Sequence, residues 1–349
     1  MKKLIIISLA VLALCACGKT RKTGTNEAAG RQFDAWVYVQ KQKATGYLWK
    51  QTALGSYILE ETVGTGEPVG ELTDSTYFRV EYTVRSADGT IASTTSRKLA
   101  QQLGTYDETC YYGPVTMYAG GLYAGVEEAV CGMRQGGKLK IVVPPWLVTY
   151  DRYDTADDYF DKVSNSDAVT CIYDIELVEC FEGIKQWGAD SLGRYLTAHF
   201  PSVYGTDPVK AVADSSGTFG FYYVRTKEPK EVKEMTDTTV YINYTGRLLN
   251  GQVFDTTIRD TAIKYGLNRD KTYEPVSISL GDTWSDVKMG SESTKVISGF
   301  ARTLARMSGP FEAGSGIFIE SLGYGYSGSG SSIPAYAPLR FDVELVEQP

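Results

Sequence analysis

The sequence predicts an α+β chain of two modules in tandem, each an antiparallel sheet covered on one face by a short helix. A pattern written twice carries most of this. The first copy has a strand ending in Tyr82-Thr83, a turn glycine at Gly89 and a closing strand from Tyr173 to Glu179; the second has Tyr244-Thr245, Gly251 and a closing strand from Phe341 to Glu347. Around each copy run short segments rich in Tyr, Phe, Val and Thr, residue types that suit a pleated, half-buried surface. The connections are too short for repeated β-α-β crossovers, which leaves antiparallel pairing with one short helix per module.

At the N-terminus, Lys2-Lys3 and an apolar run from Leu4 to Leu14 read as a secretory signal, the run being too short to span a bilayer as a stable helix. Leu14-Cys15-Ala16-Cys17-Gly18 then resembles a bacterial lipobox. That resemblance implies that residues 1–17 are a lipoprotein signal with Cys17 lipidated, and that the chain is anchored to a bacterial membrane. The residues after Cys17 lack an acidic run, so the outer membrane facing the periplasm is the expected location. Residues 18–50 are expected to be a tether and N-terminal extension, with Gly18 to Gly30, rich in Lys, Thr, Gly and Ala and without periodicity, as its flexible part.

The next boundaries follow from pattern. Residues 51–181 form the first module, with strands from Ser56 to Leu59 and Thr76 to Val84 and a turn at Ser86-Ala87-Asp88-Gly89. Gly125 to Met133 is a short helix whose Val126, Val130 and Met133 share one face, Lys138 to Val143 a strand stopped by Pro144-Pro145, and Cys171 to Val178 the last strand. Residues 182–216 are a helical linker, with Ile184, Trp187, Leu192, Tyr195 and Leu196 at helical spacing although Gly188 and Gly193 weaken the pattern; it could pack on either module. Residues 217–349 repeat the order: strands from Phe221 to Val224, Thr238 to Tyr244 and Val276 to Leu280, an irregular stretch from Trp284 to Ser293, a helix from Gly299 to Met307, a strand from Ile317 to Ile319, a Gly/Ser/Tyr loop from Gly323 to Gly330, and the closing strand from Leu339 to Val346.

Composition excludes several chemistries. A formal charge of -7, with 42 acidic against 35 basic residues and no basic tract, gives nucleic acid no phosphate footprint. His199 is the only histidine, so a Ser-His-acid triad or a histidine-rich metal site has nothing to use, and no metal or other cofactor is expected. The loop from Gly323 to Gly330 lacks the Lys-Ser/Thr ending of a phosphate cradle. Once the signal is removed and Cys17 lipidated, Cys110, Cys131, Cys171 and Cys180 remain; they allow three disulfide pairings, and buried free thiols are equally compatible with their placement.

The second module resembles the FK506-binding protein family of peptidyl-prolyl cis/trans isomerases. The matching pieces are Tyr244-Thr245-Gly246 with Gly251-Gln252-Val253-Phe254-Asp255, then Val296-Ile297-Ser298-Gly299-Phe300, Leu322-Gly323-Tyr324-Gly325, and Ile333-Pro334 before Leu339 to Leu345. They stand in the family's order over roughly 110 residues. The resemblance implies a twisted antiparallel half-barrel sheet wrapped on a short helix, with a proline pocket between them. It implies pocket walls at Tyr244, Phe254, Ile333 and Phe341, a floor at Phe300 where the family usually has Trp, further substrate contacts at Val276, Val296 and Ile297, an acidic residue at the mouth in Asp255, and in Tyr324 a hydroxyl for a ligand carbonyl. Asp255, Tyr324 and Tyr244 are then the catalytic candidates. Val276 stands near a usual Phe, and Ser329 and Ser332 replace the usual His and Ile, which implies a wider, less greasy pocket.

Taken singly these residues are ordinary: phenylalanines in alternating strands are core, and Asp255 is a turn or cap acid. Their joint match is what points to a pocket.

The first module shows the same frame with its site eroded. Ala92-Ser93 stand where the second has Phe254-Asp255, Val126 stands at the floor and Val148 at the loop tyrosine, while an acidic, Tyr-rich insertion occupies 150–167. No tight cavity for a proline ring is expected there, and the module reads as a scaffold or binding module. The expected function is peptidyl-prolyl cis/trans isomerisation or folding assistance for extracytoplasmic proteins by the second module, with proline-containing peptides or unfolded proteins as substrates. The alternative is a non-catalytic, protein- or peptide-binding lipoprotein built on two such modules.

Overall fold

The computed structural model describes residues 26–349, apart from 44–45, 165–166, 214–216, 234, 237, 268–270 and 291–293. The signal segment, the lipobox and Cys17 lie outside the described residues. The first element is a helix, α1 (Glu27–Lys43), which the absence of periodicity before Gly30 did not suggest. It belongs to the first module: Phe33 and Val37 are buried in that module's core, and the Phe33 ring meets the Trp146 ring edge-on at 5.5 Å. The buried Asn26 amide donates to the carbonyls of Phe160 and Val163, at 2.9 and 2.6 Å, so the 150–167 insertion holds the start of the helix.

The first sheet is made by β1 (Lys50–Gln51), β2 (Tyr57–Thr62), β3 (Thr76–Ser86), β4 (Ile91–Thr94), β5 (Val115–Tyr118), β6 (Lys138–Val143) and β7 (Cys171–Glu182). Its order is β1-β2-β6-β7-β3-β4, every pair antiparallel, with β5 on the other half of β3. Helix α2 (Arg97–Leu103) follows β4, α3 (Ala124–Cys131) buries Val126 and Val130 in the module's core, and α4 (Ala156–Lys162) lies in the insertion. Apolar residues alternate along β3 and β7 because only one face of each strand meets the core.

A helical segment follows: α5 (Ile184–His199), α6 (Pro201–Tyr204) and α7 (Pro208–Ala213). Leu192 and Leu196 of α5 are buried with Tyr222, Ile317 and Ile319, so the linker packs on the outer face of the second sheet. The glycines that weaken its helical pattern are contact points: a Cβ on Gly193 would come within 2.5 Å of the Pro208 carbonyl. Its first turn is held by the first module, where the Trp187 ring stacks on Phe181 at 4.8 Å and its N–H donates to Glu179 Oε1 at 2.7 Å.

The second sheet contains β8 (Phe221–Lys227), β9 (Thr238–Leu248), β10 (Val253–Thr256), β11 (Val276–Leu280), β12 (Lys288–Met289), β13 (Thr294–Lys295), β14 (Ala313–Phe318) and β15 (Leu339–Val346). Its order is β13-β12-β11-β9-β15-β14-β8, with β10 on β9; α8 (Arg259–Lys264) follows β10, and α9 (Ser298–Leu304) covers the inner face.

The repetition holds at the level of hydrogen bonds. Val84 pairs with Tyr173 as Gly246 pairs with Phe341. The threonines of the repeated Tyr-Thr meet a threonine across the strand pair, Thr83 with Thr94 at 2.8 Å and Thr245 with Thr256 at 2.9 Å. Both turn glycines are left-handed, Gly89 at φ +92° and Gly251 at +91°, a region that costs a side chain little only when there is none. The four cysteines are free and half-buried, and burial, with Glu127 nearby, pushes the Cys131 thiol up to about 11.

Candidate functional site

On the inner face of the second sheet, β9 supplies Tyr244, β10 Phe254, the start of α9 Phe300 and β15 Phe341. Phe300 and Phe341 lie with ring centroids 4.9 Å apart, Tyr244 and Phe300 5.5 Å, and Phe254 and Phe341 5.5 Å. Ile333 is buried in the same cluster, and Val276, Val296, Ile297 and Tyr324 pack half-buried against it. The structure therefore brings the aromatic and apolar candidates of the sequence into one cluster.

Local backbone explains two of these positions. In β10 the register slips between Val253 and Asp255, so Phe254 sits on a bulge, a device that re-aims a side chain. Gly246 makes room for it: a Cβ there would lie 2.4 Å from the Phe254 ring and 3.0 Å from Phe341. At the equivalent place the first module has Val84, and a bulge at Ala92. Gly246 is thus a site residue that the sequence signalled only as Tyr-Thr-Gly against Tyr-Thr-Val.

The polar groups are tied to one another. The Tyr244 hydroxyl donates to Asp255 Oδ2 at 2.5 Å, and Asp255 Oδ1 accepts from the Thr256 N–H at 3.0 Å and from Lys271 Nζ at 3.1 Å. Burial, then the Asp255 charge and its hydrogen bond, hold the Tyr244 phenol far above its ordinary value. Burial and the same charge raise Tyr324. Both phenols therefore keep their protons at neutral pH and can donate. Lys271 has no motif to announce it, since it stands 16 positions after Asp255 in the sequence. The last loop is closed by two backbone bonds between Ser329 and Ile333, at 2.9 and 3.1 Å, so Ser329 takes part through its main chain.

In the first module, where no tight cavity for a proline ring is expected, the space between sheet and helix is open and apolar. With Ala92 and Val126 in place of two rings, the space opens into an apolar cavity of about 420 Å³ between sheet and α3. Tyr82, Tyr173 and Val148 line it, and at its rim the rings of Tyr123 and Tyr150 lie 4.7 Å apart.

Residues 230–346 match the family model described as FKBP-type peptidyl-prolyl cis-trans isomerase. A Bos taurus protein, peptidyl-prolyl cis-trans isomerase FKBP11, is 33% identical over 108 residues, 31% of this chain and 41% of the relative, so the chain spans less than half of that relative's length. Among solved structures, the three FKBP domains of wheat FKBP73 align at 17% identity over 88% of this chain and 96% of that one, with a TM-score of 0.28. FkpA from Escherichia coli aligns at 20% identity over 45% of this chain and 63% of that one, with a TM-score of 0.30. Residues 230–346 are thus similar to FKBP-type isomerases, and the matched segment coincides with the module that gathers the aromatic cluster.

Proposed function

We propose that the second module accelerates cis/trans isomerisation of X-Pro bonds in extracytoplasmic proteins, from a position anchored by lipid on Cys17 to the periplasmic face of the outer membrane. The observation that carries the catalytic part is the convergence of Tyr244, Phe254, Phe300 and Phe341 on one face, with the Tyr244–Asp255 bond at its edge, inside the segment that matches the isomerase family.

Rotation about an X-Pro amide faces a barrier of about 20 kcal/mol, set by resonance in the C–N bond. No nucleophile is needed. Catalysis requires only that the twisted amide be bound better than either planar form, and each ~1.4 kcal/mol of that preference is worth about tenfold in rate. A box of aromatic rings takes the prolyl ring and its amide out of water, where the planar, charge-separated form is best solvated. Tyr324 donates to the carbonyl preceding the proline. Asp255 is a positioning residue: its carboxylate fixes the Tyr244 hydroxyl and with it the wall of the box.

The test is a protease-coupled proline isomerisation assay on the chain from Gly18 onward, which keeps α1, with Phe254→Ala and Asp255→Ala as comparisons. Faster isomerisation by the parent and slower by both variants supports the reading; a parent indistinguishable from buffer across several residues preceding proline sinks it. One observation favours a second reading, peptide binding without catalysis: both Asp255 oxygens are already engaged by Tyr244, Thr256 and Lys271. Saturable binding of proline peptides with no acceleration would select it.

A further inference from the structure

The first module carries a different site. Its cavity of about 420 Å³ falls within the usual range of ligand pockets, and no Asp, Glu, Lys or Arg is among the residues that line it. Val80, Met117, Leu122 and Ile175 give it apolar walls, and its polar side chains, among them Tyr82, Tyr173 and Ser93, are all of uncharged types or a thiol. Burial holds the Tyr173 phenol far above its ordinary value, so this wall is uncharged at neutral pH. A charged group entering such a space would lose hydration with no counter-charge to replace it, whereas a bulky apolar group gains about 25 cal/mol for each Å² it buries.

A second observation says how such a group is presented. Among the described residues β4 is the last strand of the first sheet and pairs with β3 alone, and its Ala92 and Ser93, both exposed, border the cavity. A sheet edge next to a side-chain pocket is the arrangement by which an extended peptide adds as a further strand, its backbone bonding to the edge and every second side chain turning inward. A free apolar molecule would use the cavity and leave the edge idle.

We propose that the cavity and the edge of β4 together bind an extended polypeptide that inserts one bulky, uncharged apolar side chain, with no need for proline. The site is independent of the second module's pocket and of the isomerase reading.

The probe is a capped, proline-free hexapeptide with a central phenylalanine, titrated calorimetrically into the mature chain. Saturable binding is expected, weakened about tenfold or more when the central residue is lysine and by a similar factor in Ala92→Phe, which puts a ring back at the mouth. Ser93→Lys, at the neighbouring exposed position, gives the same loss by a charge and guards against a local effect of the first variant. Methylating the peptide nitrogens that would face β4 also weakens binding. Ala92→Phe leaves the proline isomerisation rate as in the parent, so an inactive second module and an unoccupied first one give separable results. No binding at millimolar peptide, binding indifferent to both variants, or binding indifferent to N-methylation overturns the proposal; the last would mean a site for free apolar molecules.

Discussion

Tyr77 of the first module meets Tyr336 of the second edge to face, with ring centroids 5.2 Å apart and planes at 78°. Tyr336 lies in the loop that carries Ile333, and the first module holds that loop at a second point, where the Tyr111 N–H donates to the Ser331 carbonyl at 2.8 Å. Nearby, the Gln252 amide donates to the Cys110 carbonyl at 3.1 Å. The rear of the candidate proline pocket is therefore braced by the other module. A double-mutant cycle with Tyr77→Ala and Tyr336→Ala, read from urea unfolding, should give a coupling of about 0.5–1.5 kcal/mol. Strictly additive effects would show that the two rings are neighbours without mutual stabilisation.

The bond between Tyr244 and Asp255 joins a phenol to a charged acceptor, a class of hydrogen bond worth about 1.5–3 kcal/mol. Tyr244→Phe keeps the ring and removes the donor. We expect kcat/KM for a proline peptide to fall by roughly tenfold or more, the kinetic equivalent of that energy, with the fold intact by circular dichroism. Unchanged kinetics would remove this pair from the mechanism.

Gly246 permits Phe254 and Phe341 to occupy their places. Gly246→Val, which installs the first module's residue, forces both rings to move and should destabilise the second module by about 1–3 kcal/mol, as overpacking does. Proline peptide affinity should fall at the same time, measured by calorimetry under conditions where the variant remains folded.

Glu320 is buried between the modules, with its Oε2 lacking a hydrogen-bond partner among the described residues, and burial raises its carboxyl above the ordinary 4.5. The folded state then holds a proton that the unfolded chain has released, so this residue's contribution to stability falls as pH rises from 4.5 through the raised value. Glu320→Gln removes that dependence. The variant should be more stable than the parent at pH 7, by about 1 kcal/mol, and the gain should shrink toward pH 4. A gain of the same size at both pH values would show that charge burial is not its cause.

Phe33 tests whether α1 belongs to the first module. Phe33→Ala should cost about 3–5 kcal/mol, the usual price of emptying a buried aromatic site, and lower the Tm seen by differential scanning calorimetry. Removal of the segment through Lys43 that left the melting curve unchanged, together with a silent Phe33→Ala, would restore the tether reading of this segment.

Much of the fold was legible because its information is local. Alternation along Thr238 to Tyr244, the left-handed glycines at Gly89 and Gly251, and the stop at Pro144-Pro145 each act within a few residues, and the strands from Lys138 to Val143, Val276 to Leu280 and Leu339 to Val346 have the bounds that pattern assigns. Helix α1 was hidden because Phe33 and Val37 acquire meaning only from the core they enter, and the side of α5 that packs was undetermined because its apolar stripe fits either module.

The candidate site divides in the same way. The sequence by itself determined which residue types could form a proline pocket, since Phe254, Asp255, Phe300, Tyr324 and Phe341 stand in one family's order, and it determined that the first copy lacks two of the rings. Tertiary structure alone decided that Lys271 reaches Asp255, that Gly246 clears the place of Phe254, and that a cavity of about 420 Å³ lies beside Ala92 and Val126. The reason is physical: residue identity sets what a side chain can do, but the volume left between a sheet and a helix depends on how far apart the whole of both elements hold them.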